Sequence, residues 1–339
     1  MKNLKHAVIS RGILVGSLLA ASMAFAQTTN LMNVSYDVTR DFYKAYNPLF
    51  EQYYQSKTKQ PISIRQSHGG SSKQAMSVLG GLQADVVTMN QASDINLLLS
   101  KNLVKKNWVS EYPNQSNPFS SATVFLVRKG NPKNIKDWDD LIKNNVSVIA
   151  PNPKTSGNGR YAYLAAWTNA LKKKGGNETQ AKNYVKALYQ HIPVLDAGAR
   201  GATISFIQRN LGDVLITPES EAKVVANQLG KGKFEVVYPN ISLRTEAPVA
   251  VVTAVTDKRK TTSAAHEYLN YLWSEPAQEL AAKYYFRPNN PKIAQKYKNQ
   301  FPQIKLYGVT EIFGSWENVN KQHFATGALF DQIYQQKNK

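Results

Sequence analysis

The chain of 339 residues contains no cysteine. Disulfide bonds are therefore excluded, although an exported protein would be free to form them. A lipid anchor on an N-terminal cysteine is excluded for the same reason, as are metal sites built on thiolates. The five histidines (6, 68, 191, 266 and 323) show no spacing typical of metal ligands. The sequence thus predicts no metal and no cofactor.

Long apolar runs are also missing after the N-terminus, so no internal segment is predicted to span a membrane. The N-terminus has a positively charged start, a short apolar core over 12–21, and the small residues of Ala24-Phe25-Ala26. This order is typical of a secretory signal peptide, with Gln27 as the first mature residue. A retained membrane anchor is the alternative, which the short core disfavours. We therefore expect residues 1–26 to be a cleaved signal peptide and the mature protein to lie in the periplasm.

Acidic residues are scarce. The chain has 23 Asp and Glu against 42 Lys and Arg, which gives a formal charge of +19. Three of the positive charges and no acid lie in residues 1–26, so the mature chain carries +16. Such a protein could bind nucleic acid or a membrane surface. The lysines are spread over the chain, however, and no nucleic-acid-binding motif occurs. We predict a solvated basic surface, no nucleic-acid partner, and faster arrival of anions.

Catalytic and nucleotide-binding motifs are absent too. The chain has no Gly-x-Ser-x-Gly, Walker A or Gly-x-Gly-x-x-Gly pattern. His68 stands beside two glycines and, without a nucleophile, is expected to fix a turn. Asp94 and Glu219 stand at predicted helix starts, where carboxylates usually act as caps. The sequence therefore predicts that the protein is not an enzyme, and an exported sulfate or phosphate ester hydrolase is the rival interpretation.

The most informative stretch that is present is 151–160, Pro-Asn-Pro-Lys-Thr-Ser-Gly-Asn-Gly-Arg. A β-branched run over 146–150 predicts a buried strand before it, and the residues from Tyr161 predict a helix after it. Ser156 is a good N-cap. The free N–H groups and the dipole of such a helix start favour an anion. The alternative is an ordinary strand-to-helix turn that binds nothing.

Three further turns of small residues also lead into predicted helices. They are 35–37 (Ser-Tyr-Asp), 68–73 (His-Gly-Gly-Ser-Ser-Lys) and 198–203 (Gly-Ala-Arg-Gly-Ala-Thr). In a parallel sheet such turns lie at the carboxyl ends of the strands, where ligands of open α/β folds bind. Four converging helix starts would bind an anion without a lysine or arginine side chain. Since all these groups are donors, hydrogen phosphate should be rejected, because its buried O–H would cost about 1–3 kcal/mol.

Strands and helices alternate along the chain, which predicts an α/β fold. Predicted strands cover 31–34, 61–66, 84–89, 121–128, 146–150, 213–217 and 234–238, and predicted helices cover 39–55, 73–80, 92–100, 138–142, 160–174, 178–190, 200–209, 219–229, 262–273 and 276–285. We expect a first lobe from 27–118 plus about 248–339, including C-terminal helices, and a second lobe from 119–247. Extended crossings over 112–118 and 248–255 would join the lobes, as in hinged binding proteins.

Motifs along nearly the whole mature chain, in the same order, resemble the periplasmic sulfate- and thiosulfate-binding proteins. They are 33–37 (Asn-Val-Ser-Tyr-Asp), 66–74 (Gln-Ser-His-Gly-Gly-Ser-Ser-Lys-Gln), 152–157 (Asn-Pro-Lys-Thr-Ser-Gly), 198–201 (Gly-Ala-Arg-Gly), 212–216 (Gly-Asp-Val-Leu-Ile), 284–288 (Tyr-Tyr-Phe-Arg-Pro), 313–316 (Phe-Gly-Ser-Trp) and 323–324 (His-Phe). The resemblance implies a type II two-lobe fold hinged by two crossover strands. It also implies a monomer that hands sulfate or thiosulfate to the membrane subunits of an ABC importer.

By motif position, the resemblance further implies that uncharged donors hold the anion. These would be the backbone N–H of Asp37, groups of Ser71, the hydroxyl of Ser156, and the backbone N–H groups of Gly157, Asn158 and Ala199. Asn90, Thr217, Pro218, Glu219 and Arg200 are expected near the ligand. Arg200 and Arg65 would either balance the charge of the anion or form ordinary salt bridges.

Two positions depart from the sulfate-binding pattern. Asn158 stands where that family has glycine, and Pro218 stands where it has a tryptophan that donates its indole N–H. Proline supplies neither that donor nor a backbone N–H. The stretches 88–94 and 154–159 look more like the thiosulfate-binding branch, which also lacks the tryptophan. Sulfate, thiosulfate and another tetrahedral oxyanion such as phosphate or molybdate therefore all stay open as ligands.

Overall fold

The computed structural model of the chain describes residues 28–335. The expected signal peptide and its cleavage site therefore lie outside the described residues. The strands are β1 Thr29–Tyr36, β2 Ile62–Gly69, β3 Val86–Thr88, β4 Phe119–Arg128, β5 Val148–Pro151, β6 Leu195–Asp196, β7 Val214–Pro218, β8 Phe234–Val237, β9 Ile241–Thr245, β10 Val249–Val251, β11 Arg287–Pro288 and β12 Lys305–Tyr307.

Helices cover most of the remaining chain. They are α1 Arg40–Thr58, α2 Ser71–Leu79, α3 Ala92–Leu99, α4 Pro113–Ser116, α5 Gly157–Lys172, α6 Glu178–Gln190, α7 Ala199–Ile207, α8 Glu219–Val224, α9 Thr253–Arg259, α10 Thr262–Asn270, α11 Glu275–Lys283, α12 Pro291–Lys296, α13 Val309–Phe313, α14 Trp316–Val319 and α15 Leu329–Gln335. α4 is a single left-handed turn. Over residues 28–335, no helix combines the length and apolar character needed to cross a membrane.

The first sheet has four strands in the order β10-β3-β1-β2. β1 runs parallel to β2 and β3, and β10 is antiparallel to β3. Leu31 packs on one face with α1 and α10, and Val34 packs on the other face with α2 and α3, as the two-residue period of a strand requires. Tyr36 lies opposite Gly69, so β1 and β2 end level at one edge. We call this sheet with α1–α3 and α9–α11 the first lobe.

The second sheet follows the order β12-β9-β4-β7-β5-β6, with β8 and β11 also paired to β4. β5 is parallel to β6 and β7. Val124 and Leu126 enter the core on one face, and Phe125 and Val127 enter the core on the other. Pro151 lies opposite Asp196, so β5 and β6 also end level. We call this sheet with α5–α8 and α13–α15 the second lobe.

The chain crosses between the lobes before β4 and again between β9 and β10. The second crossing differs from the strand expected over 248–255. β10 covers only Val249–Val251 because its partner β3 offers three residues for pairing. The chain then turns into α9, and Val252 donates its N–H to the carbonyl of Asp85. β9, which the sequence did not predict, reaches the crossing at Thr245.

The C-terminal segment differs from the expectation that all of 248–339 belongs to the first lobe. The chain crosses once more ahead of β12, which pairs with β9 in the second sheet. The apolar side chains that follow pack against α5 and α6 in the core of the second lobe. They are Val309, Trp316, Val319, Phe324, Phe330 and Ile333. They cover the aromatic face of α5 that includes Tyr163 and Trp167, and burial of that surface fixes the position of the segment.

Candidate functional site

Four strand-to-helix turns meet between the lobes. In the first lobe, β1 leads into a 3-10 turn at Asp37–Thr39 and then α1, and β2 leads into α2 at Ser71. In the second lobe, β5 leads into α5 at Gly157, and β6 leads into α7 at Ala199. Since each pair of strands ends level, the two turns within each lobe are neighbours.

Close contacts join the two pairs of turns across the lobes. The N–H of Arg200 donates to Asp37 Oδ2 over 3.0 Å. A Cβ atom on Gly70 would lie 2.7 Å from the carbonyl oxygen of Thr155, which no side chain tolerates. A Cβ atom on Gly157 would overlap the carboxamide of Asn90. Glycine at 70 and 157 therefore permits the lobes to close on each other.

The first turn of α5 presents unpaired donors to this place. Ser156 is buried, with 1% of its surface exposed, and its Oγ accepts the N–H of Gly159 over 3.4 Å. The cap expected at Ser156 is confirmed, and the hydroxyl proton remains available to a partner. Gly157 and Asn158 are the first two residues of α5, so their N–H groups have no carbonyl acceptor within the helix. Both residues are buried.

Ser71 was expected to offer its groups to the anion, but its hydroxyl is bonded within the first lobe. Its hydroxyl donates to Asp94 Oδ2 over 2.6 Å and accepts the N–H of Asn90 over 3.1 Å. Its hydroxyl proton is thus committed, and the backbone N–H at the start of α2 remains as the donor. The cap interpretation of Asp94 is wrong, because its carboxylate binds the hydroxyls of Ser71 and Ser72. Burial raises the pKa of Asp94, opposed by the positive charge of Arg160.

Asp37 brings an acceptor as well as a backbone N–H. Its side chain is 7% exposed, and Oδ1 has no hydrogen-bond partner among residues 28–335. Burial raises the pKa of Asp37 to about 6, opposed by the N–H of Arg200 and assisted by the negative charge of Glu221. The expectation that every group here is a donor therefore does not hold for this carboxylate.

Asn90 lies between the turns of the two lobes. Its backbone contacts the Ser71 hydroxyl, and its carboxamide lies against Gly157. Asn90 is 1% exposed, and neither Oδ1 nor Nδ2 has a partner within the described chain. The Nδ2 of Asn158, 4% exposed, is also unpaired there. Buried amides usually find partners, so these two mark the place where a polar ligand would complete the structure.

The remaining expected residues lie around this place or away from it. The Arg200 side chain pairs with Glu221 at 3.2 Å and with Asp41 at 3.9 Å, which favours the salt-bridge interpretation. Thr217 is buried, and its Oγ1 is unpaired within the described range. Pro218 ends β7 and carries no donor. Arg65 is exposed on β2, and no contact of its side chain reaches the four turns in the residues described.

Glu219 is neither a cap nor part of the four turns. It is fully buried, and its carboxylate accepts from Arg287 Nε at 2.6 Å, from Arg287 Nη2 at 3.0 Å, and from the Tyr238 hydroxyl at 2.9 Å. The cap interpretation of Glu219 is therefore wrong. Arg287 stands 68 residues away on β11, so local sequence gives no sign of this ion pair.

The cations nearest the α5 turn bind other groups. Lys154 Nζ lies 2.9 Å from both the carbonyl of Phe324 and Oδ2 of Asp331. Arg160 donates from Nε to the carbonyl of Pro153 and from Nη1 to Asn320. Both side chains thus tie the turn to the C-terminal segment. His68 contacts Ser35 and Gln66, and burial lowers its pKa to about 4, so it is a neutral structural residue at pH 7.

The chemistry offered by this arrangement is anion binding. Helix starts supply N–H groups, Ser156 supplies a hydroxyl, and Asn90 and Asn158 supply amides. In the part of the chain that the structure describes, no three His, Asp or Glu residues are grouped to hold a metal ion.

Comparison with known proteins agrees with this geometry. Residues 36–287 match the family model described as bacterial extracellular solute-binding protein. The chain is 53% identical over 323 residues to a thiosulfate-binding protein of Pseudomonas aeruginosa, covering 94% of this chain and 97% of that one. It is 49% identical over 322 residues to a sulfate-binding protein of Escherichia coli, covering 95% and 98%.

A solved structure extends the comparison to three dimensions. The sulfate-binding protein SubI from Mycobacterium tuberculosis aligns with a TM-score of 0.80 and 32% identity, covering 88% of this chain and all of that one. The named relatives are binding proteins, in agreement with the prediction that this chain is not an enzyme. The chain therefore belongs to the bacterial extracellular solute-binding proteins, in the group that contains the sulfate- and thiosulfate-binding proteins.

Proposed function

We propose that the protein captures sulfate or thiosulfate between its lobes in the periplasm and delivers it to the membrane subunits of an ABC importer. In this proposal residues 1–26 are a signal peptide that is removed on export. The mature protein works as a monomer and has no nucleic-acid partner. The single observation that carries the proposal is the meeting of four helix starts at one buried place between the lobes.

The donors at these starts suit a fully ionised tetrahedral anion. Asp37, Ser71, Gly157, Asn158 and Ala199 contribute backbone N–H groups, and Ser156 contributes its hydroxyl. Hydrogen bonds from neutral donors to a buried anion are strong because they form in a medium of low polarity. A lysine or arginine side chain is not needed, since the helix starts already provide partial positive charge.

Asp37 bears on selectivity. Hydrogen phosphate carries an O–H that needs an acceptor when it is buried. Asp37 Oδ1 is buried and unpaired among the described residues, so it could serve as that acceptor. The ionised carboxylate repels a dianion, and its raised pKa reduces that cost. We expect sulfate and thiosulfate to bind more tightly than phosphate, because N–H and O–H donors outnumber this acceptor.

Isothermal titration calorimetry of the mature protein with sulfate, thiosulfate, molybdate and phosphate tests the proposal. Saturable 1:1 binding of sulfate or thiosulfate, tighter than that of phosphate, is the expected result. Phosphate binding more tightly than both sulfur oxyanions would overturn the ligand assignment. Absence of binding to any of the four anions would overturn the function itself.

A further inference from the structure

Asn90 is the most buried polar side chain of the site for which the protein supplies no partner. Both ends of its carboxamide are unpaired within residues 28–335, although only 1% of the residue is exposed. Its backbone N–H is bonded to Ser71 in the first lobe, and its side chain lies against Gly157 in the second. A buried amide without a hydrogen bond lowers the free energy of unfolding, so Asn90 destabilises the protein when no ligand is bound.

The first turn of α5 beside Asn90 indicates which end of the amide faces the ligand. Gly157 opens α5, a helix of 16 residues, and the N–H groups of its first turn accompany the Asn90 carboxamide. An amide offers two N–H donors at one end and an acceptor at the other, and rotation of its last torsion exchanges them. An anion beside this helix start selects the Nδ2 end. Pro218, at the end of β7, contributes no donor, so the anion depends on side chains such as Asn90 for donors beyond the backbone N–H groups.

We infer that Asn90 donates a hydrogen bond from Nδ2 directly to the bound oxyanion and that its neutral amide selects sulfate and thiosulfate against hydrogen phosphate. This inference rests on the proposed function and adds a specificity-determining side chain to it. The selection works because the start of α5 holds an anion at the Nδ2 end of the amide. A fully deprotonated oxyanion accepts from Nδ2, whereas the O–H of hydrogen phosphate finds an acceptor at Asn90 only if the amide turns Oδ1 to the ligand and loses the Nδ2 bond.

Contact with Gly157 also makes Asn90 sensitive to closure. The carboxamide occupies the space that a side chain at 157 would fill. Asn90 belongs to the first lobe and Gly157 to the second, so the contact exists only when the lobes are together. The amide therefore reaches the anion in the closed form and leaves it when the lobes separate, which links its hydrogen bond to retention of the ligand.

Three variants of the mature protein test the inference by calorimetry with sulfate, thiosulfate and phosphate. Asn90→Ala removes the donor and should weaken both sulfur oxyanions about tenfold to a hundredfold. Asn90→Asp keeps the shape but offers only acceptors, so it should abolish sulfate binding at pH 7 while raising the ratio of phosphate to sulfate affinity. That change of ratio would not follow from a merely structural role.

Asn169→Ala is the matched control. Asn169 is 3% exposed with an unpaired Nδ2, yet it lies twelve residues along α5, about 18 Å from Gly157. Its variant should bind sulfate within about twofold of the parent. Equal effects of Asn90→Ala and Asn169→Ala, or sulfate affinity retained by Asn90→Asp, would overturn the inference while leaving the proposed function standing. Absence of sulfur-oxyanion binding by the parent protein would instead refute the proposed function.

Discussion

The backbone N–H of Arg200 donates to Oδ2 of Asp37 over 3.0 Å, and this bond joins the first turn of α7 in the second lobe to the end of β1 in the first. The Arg200 guanidinium also lies 3.9 Å from Asp41 in α1. Both contacts cross between the lobes at the edge of the proposed anion site. They belong to the closed form, in which all four helix starts can reach one ligand.

Closure should therefore follow ligand binding. An anion that contacts both lobes stabilises the closed form because only that form makes all the contacts. Small-angle X-ray scattering of the mature protein should show the radius of gyration falling when sulfate or thiosulfate is added. Sodium chloride at the same ionic strength serves as the control for salt. An unchanged radius of gyration, starting from an open form, would argue against a hinged mechanism.

Asp37 should make stability depend on pH. Its pKa rises from 3.8 to about 6 on folding, mainly because the carboxylate is buried. Between those values the native state holds more protons than the unfolded state, so stability falls as pH rises through this window. Asp37→Asn keeps an acceptor for the Arg200 N–H and removes the charge. The variant should gain up to about 3 kcal/mol relative to the parent between pH 4 and pH 7.

Denaturant unfolding of the parent and Asp37→Asn at pH 4 and at pH 7 measures this difference. Many other groups titrate over this range, but their contributions cancel in the comparison of parent and variant. A difference in free energy of unfolding that stays constant with pH would show that folding does not raise the pKa of Asp37.

Glu219 and Arg287 should be a strong stability pair. Glu219 is fully buried, and removal of Arg287 would leave its charge unpaired. Such losses cost about 3–5 kcal/mol. Arg287→Ala should therefore lower the free energy of unfolding by about that amount in urea titration at pH 7. Lys292→Ala is the control, because its pair with Glu275 is exposed and worth less than about 1 kcal/mol. Equal effects of the two variants would refute this account of Glu219.

Local patterns predicted much of the fold. The helix over 178–190 has the predicted bounds because Asn177 caps it and its apolar residues repeat at helical spacing. The four turns around Asp37, Ser71, Ser156 and Ala199 were visible as small residues between strand and helix patterns. The rule that parallel strands end at one edge brings together the two turns of each sheet, and the meeting of the two pairs depends on how the lobes pack. β9 was missed although its five residues alternate in polarity as a half-buried strand does, because Pro239 and Asn240 directly before it are typical of a loop.

Interactions between residues far apart in the chain could not be predicted from the sequence. Asp94 and Ser71 stand 23 residues apart, and at Asp94 the chain shows only a helix start, which predicts a cap. The ion pair of Glu219 and Arg287 and the tie between Lys154 and Asp331 depend in the same way on how lobes and termini pack. The packing of distant elements decides these partners, and the periodicity of a single segment shows only which face its side chains occupy.

Neutral donors hold the anion in the proposed site, and titration of Ser156→Ala beside Lys154→Ala measures what they contribute. Ser156→Ala removes the free hydroxyl and should weaken sulfate or thiosulfate binding about tenfold to a hundredfold. Ser156→Gly should weaken binding similarly while sparing the helix, since glycine caps tolerably. Lys154 Nζ is already paired with Asp331 at 2.9 Å, so Lys154→Ala should change affinity little. A larger loss for Lys154→Ala than for Ser156→Ala would contradict the account and point to a site built on cations.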